Sequence, residues 1–151
     1  MKKIVFSAFS ILIGMQLFAQ SNNPHYNKTL ADSLGGDEYG MKMYVLVILK
    51  TGAATPDKKV SDSLFNGHMA NIGRLATEGK LVVAGPFKKN EKNYRGIFIL
   101  NVKTIDEAKE LLVTDPAVKA KVLDAELFQW YGSAALPMYL PYHSKLEKKA
   151  M

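Results

Sequence analysis

At 151 residues, with 48% hydrophobic and 23% charged content, the chain is sized and composed for one globular domain. It has no cysteine, which excludes thiol nucleophiles, disulfides, thiolate metal sites and a lipid-acylated anchor, so stability must come from packing. Much of the formal charge of +6 sits in two local clusters, Lys88, Lys89, Lys92 with Arg95 and Lys145, Lys148 with Lys149; cations not spread over one face with aromatics between them argue against a nucleic-acid partner.

Lys2 and Lys3 precede an apolar run, Ile4 to Phe18, that ends beside the small Ala19. This pattern predicts a secretory signal peptide over residues 1–19, because the run is shorter than the roughly 20 residues a spanning helix needs. The expected mature protein begins near Gln20, is exported to a periplasm or secreted, and keeps no stable membrane association. Its charge drops from +6 to +4 when Lys2 and Lys3 leave. Residues 20–40 are polar, with Asn22, Asn23, Pro24, Gly35 and Gly36 and no sustained periodicity, and read as a linker or loosely attached arm.

Met41 to Leu49 is a continuous apolar, β-branched-rich run of strand length. Thr55-Pro56-Asp57 predicts a helix start, with the Thr55 hydroxyl at the cap and proline in the first turn. Leu64, His68, Ile72 and Leu75 then form one helical stripe, weakened by about 1 kcal/mol at Gly67 and stopped at Gly79. Leu81 to Ala84 predicts a second strand closed by Gly85-Pro86, and Gly96 to Val102 a third beyond a polar hairpin connection. Thr104 and Glu107 have capping-box spacing ahead of a helix that turns Ala108, Leu111 and Leu112 inward. Asp115-Pro116 must end that helix. A short helical segment within Pro116 to Val122 and a last strand, Glu126 to Tyr131, complete residues 41–132, and residues 133–151 form a tail.

The order β-α-β-β-α-β is the ferredoxin-like α+β plan, a four-stranded antiparallel sheet with both helices on one face. The strands do not alternate: Tyr44 to Leu49, Leu81 to Ala84 and Ile97 to Leu100 are apolar on both sides. Helices cover one side only, and at roughly 25 cal/mol per Å2 several hundred Å2 of bare apolar sheet costs many kcal/mol. A homodimer packed sheet to sheet is the expected partner arrangement.

His68 with its helix, Glu78-Gly79-Lys80-Leu81, Ala84-Gly85-Pro86, Asp115-Pro116 and a last strand holding Trp130 together resemble the YCII-related (YciI-like) domain family, over about Met43 to Gly132. The resemblance implies a dimeric α+β barrel and an active site of one histidine and one aspartate, corresponding to His68 and Asp115. It also suggests elimination or hydrolysis on a small organic molecule, such as removal of a leaving group from a ring compound. The signal peptide, the arm and the tail depart from the usual member.

An imidazole on an apolar stripe is costly unless its nitrogens are bonded, so His68 needs a partner. Asp115 fits: a carboxylate on one ring nitrogen fixes the tautomer and leaves the other nitrogen free to move a proton. His68 also reads as a satisfied structural histidine, and Asp115 as an N-cap ahead of Pro116; the two Asp115 readings can coexist. Gly85 and Pro86 read as a turn or as backbone lining a substrate pocket, and Tyr44 and Trp130 as core or as pocket walls. Ser61 and Ser63 show no nucleophile-elbow pattern. No cofactor is expected, and a metal site would need His25 and His143 to fold back onto His68 from the arm and tail. The functional expectation is an exported acid–base enzyme, lyase or hydrolase; the alternative is a non-catalytic ligand-binding or structural homodimer of the same fold.

Overall fold

The structure, a computed structural model, describes residues 23–148; the expected signal peptide, residues 1–19, lies outside them. The apolar run starting at Met41 forms β1 (Met41–Thr51), which pairs with β3 (Tyr94–Leu100) on one side and β4 (Leu123–Ser133) on the other. The strand β2 (Leu81–Pro86) pairs with β3 at the far edge, so the sheet order is β2-β3-β1-β4 with every pair antiparallel. Between the strands lie α2 (Lys58–Thr77), α3 (Ile105–Leu112) and the single turn α4 (Pro116–Lys119). This is a βαββαβ α+β domain with a four-stranded antiparallel sheet, as the sequence pattern predicts.

Because side chains alternate across a pleat, Val45, Val47 and Leu49 of β1 share one side with their partners Leu100, Phe98 and Gly96 of β3. That side meets Leu75 of α2, Ala108 and Leu112 of α3 and Ala117 of α4 in one buried cluster. The opposite side carries Leu46, Ile48, Ile97 and Ile99, all half-buried, and Phe128, which is 48% exposed.

Several boundaries differ from the sequence pattern for identifiable reasons. Asp57, not Thr55, caps α2: its carboxylate accepts from the Val60 N–H at 2.9 Å, and Pro56 stands before the cap. The strand β2 continues through Gly85-Pro86 because it is an edge strand, where proline's missing N–H need not break the ladder to β3. The Thr104–Glu107 capping box forms as predicted. The segment before β1 contains α1 (Lys28–Leu34), which buries no residue and so leaves no apolar stripe to announce it. Lys42 Nζ donates to the Leu34 carbonyl at 3.0 Å, and the Tyr131 hydroxyl donates to Asp37, tying this segment to β1 and β4. After β4, a 3-10 turn (Leu136–Tyr139) carries the chain to the far edge of the sheet, where the Tyr139 hydroxyl donates to the Val82 carbonyl, and α5 (Leu140–Leu146) follows.

Candidate active site

Helix α2 passes through Gly67 without a break, and the space a side chain would take there is occupied by Pro116, the first residue of α4. The neighbours of these two contact residues in sequence are His68 and Asp115, and their side chains meet. Nδ1–H of His68 donates to Oδ2 of Asp115 at 2.6 Å, with His68 8% and Asp115 0% exposed. The other carboxylate oxygen, Oδ1, accepts from the Ala117 N–H at 2.9 Å and the Val118 N–H at 3.3 Å, capping α4. Asp115 is thus both N-cap and histidine partner, each role served by its own oxygen.

Burial pushes the Asp115 carboxyl upward, but the hydrogen bond and charge of His68 and the two backbone N–H groups outweigh it and hold the group below its ordinary value. Asp115 is therefore a buried carboxylate hydrogen-bonded at every oxygen, which is what makes such a burial tolerable. The imidazole stacks on Phe98 (centroids 5.8 Å apart, planes at 23°) and meets Phe65 edge-on at 6.0 Å. One turn along α2, buried Asn71 accepts from Arg74 Nη2 at 2.8 Å and from the Thr114 hydroxyl at 3.0 Å. These bonds pin the residue preceding Asp115 to the helix that carries His68.

His68 lines a cavity of about 260 Å3 between α2 and the β2–β3 end of the sheet. Met69 and Ile72 of α2, Gly85 and Pro86 of β2 and Phe98 of β3 make most of its wall apolar, and Arg95 lies at its rim. Among the described residues Nε2 of His68 has no hydrogen-bond partner, and no fully buried side-chain nitrogen or oxygen lacks one. Nε2 is therefore accessible, on a residue that lines the cavity.

The sequence-predicted site residues separate into two groups. His68, Gly85 and Pro86 line the cavity, with Asp115 behind His68. Tyr44 and Trp130 lie across from each other on β1 and β4, centroids 5.7 Å apart, and are not among its lining residues. They occupy the opposite pleat parity from Val45, on the other side of the sheet, where the Tyr44 hydroxyl donates to the Ser133 carbonyl at 2.9 Å. His143 pairs with Glu147 at 3.0 Å, and among the described residues no group of three or more His, Asp or Glu is arranged to hold a metal. Sequence reasoning missed Phe65 and Arg95; Phe65 lies one turn before Met69 on α2, but nothing in the spacing of Arg95 announces its position.

A four-stranded antiparallel α+β domain with a buried imidazole–carboxylate pair beside an apolar cavity defines a recognisable class. The chain belongs to the YCII-related domain family, whose model matches residues 41–131, from the first residue of β1 to Tyr131 of β4. Among solved structures, one similar to this chain is "5-chloro-2-hydroxyhydroquinone dehydrochlorinase (TftG) from Burkholderia phenoliruptrix AC1100", in complex with 2,5-dihydroxybenzoquinone. It is 21% identical, with a TM-score of 0.41, over 57% of this chain and 92% of that one; nothing about activity follows from a likeness at that level. No curated protein matches the chain.

Proposed function

We propose that this protein is a small-molecule enzyme that uses His68 as general acid–base and Asp115 to orient it, in lyase- or hydrolase-type chemistry. The observation that carries the reading is the 2.6 Å bond from Nδ1 to a carboxylate, which leaves Nε2 of a cavity-lining histidine without a partner among the described residues. In that arrangement Nε2 takes a proton from a substrate C–H or O–H, or from water, and the imidazolium is stabilised by Asp115. The same proton then passes to the departing group, so the step balances without an added oxidant or metal. A volume of about 260 Å3 suits a substrate of roughly one ring, just below the usual range for ligand pockets.

The dimer belongs to the same proposal. Leu46, Ile48, Ile97, Ile99 and Phe128 form an apolar sheet surface that a second copy would cover. Export is supported by Lys2, Lys3 and the apolar run Ile4 to Phe18. The test is a panel of small esters, lactones and halogenated phenols given to the wild type and His68→Ala. Turnover by the wild type that His68→Ala loses supports the proposal; turnover that His68→Ala retains removes His68 from the chemistry, and no turnover by the wild type leaves a ligand-binding dimer of the same fold.

A further inference from the structure

The rim of the His68 cavity carries a cation whose placement depends on an irregularity in the sheet. Leu49 of β1 pairs with Gly96 of β3, while the next residue, Lys50, pairs with Tyr94, so Arg95 is an extra residue on β3. Such a bulge re-aims a side chain that regular alternation would send to the other face. The guanidinium of Arg95 accordingly lies over Phe65 of α2, 5.7 Å from the ring centroid, on the helix side of the sheet. Stacking on an aromatic face holds a guanidinium in one plane while leaving its N–H edge free.

That edge is unused. The other arginine, Arg74, is bonded to Glu78, Asn71 and Thr114, whereas Arg95 has no carboxylate within 4.0 Å and no side-chain hydrogen bond among the described residues. Apart from His68 and Arg95, every residue lining the cavity is apolar or glycine. The hairpin between β2 and β3 carries Lys88, Lys89 and Lys92 against one carboxylate, Glu91, and Lys89 shares a second surface hollow with Arg95.

The geometry points to an anion subsite: Arg95 receives the carboxylate, or an equally planar anionic group, of a small molecule whose flat apolar body fills the cavity and whose reacting end faces His68. This rests on the acid–base reading of the same cavity and narrows its substrate to an organic acid. Carboxylate is favoured because a guanidinium edge matches it with two parallel N–H bonds.

The experiment measures binding of benzoate and of its uncharged isostere benzamide to the full chain by calorimetry at low salt, for wild type, Arg95→Gln, Arg95→Lys and His68→Gln. The expected result is about ten-fold tighter binding of benzoate in the wild type, the size of one charge-assisted contact at a partly exposed site. Arg95→Gln should lose that preference without a change in melting temperature, because the residue is exposed, and Arg95→Lys should keep part of it. Equal binding of the two probes by the wild type, or an undiminished preference in Arg95→Gln, overturns the subsite. His68→Gln separates the two proposals: it should keep the benzoate preference while losing turnover, whereas an anion preference in a wild type that itself shows no turnover would sink the enzyme reading alone.

Discussion

Gly67 of α2 and Pro116 of α4 touch so closely that a methyl group on Gly67 would lie 2.8 Å from Pro116 Cγ. The contact joins the two elements one residue away from His68 and Asp115, so a glycine and a proline ring set the spacing of the hydrogen-bonded pair.

Two glycines of the same helix should therefore respond oppositely to alanine. A methyl group on Gly73 would meet nothing within 4 Å, and Gly73→Ala should stabilise by about 0.5–1 kcal/mol through helix propensity. Gly67→Ala gains the same propensity but must push apart a packed ring, at a cost of about 1–3 kcal/mol. Urea unfolding should show a gain for the first and a net loss for the second, with a larger loss for Gly67→Val.

The carboxylate of Asp115 should make stability acid-sensitive. Its folded value is depressed, so the folded state binds fewer protons than the unfolded chain in acid. Its contribution is complete above the ordinary aspartate value of about 3.9 and is lost as pH falls through the lower folded value. Asp115→Asn should cost about 1–3 kcal/mol at pH 7 and flatten the decline in stability below about pH 4. Chemical denaturation across that range checks both; an equally steep decline in the variant would remove Asp115 as the cause.

Phe128, 48% exposed beside Leu46 on the far side of the sheet, tests the proposed assembly. Sedimentation should give a dimer for the wild type and a monomer for Phe128→Glu, since a charge there cannot be buried without a partner. A monomeric wild type would contradict the dimer outright.

How much of this was legible depends on whether the signal is local. Thr104 and Glu107 announce α3 because a capping box is written in four consecutive residues, and the glycines and prolines punctuate the βαββαβ order in the same way. A histidine on an apolar stripe and a carboxylate at a forced chain break leave the pairing of His68 with Asp115 as one of several readings, and it is the family resemblance that favours it. Tyr44 and Trp130 are harder, because which face a strand residue takes depends on register, and a shift of one position exchanges the faces. Arg95 was invisible for the related reason that a bulge is a property of two strands together. Gly67 reads in sequence as a weak point of α2, and only Pro116, 49 positions on, turns it into a contact.

The central claim is that His68 and Asp115 act as one unit on a molecule held in the cavity. The most direct measurement is turnover of a substrate of the wild type by His68→Ala, Asp115→Asn and the double variant. His68→Ala should lose about 10²–10⁴-fold, the range of a general acid–base group, Asp115→Asn less, and the double variant no more than His68→Ala, because groups acting as a unit are not additive. Wild-type turnover by His68→Ala, or losses that simply multiply in the double variant, would contradict it.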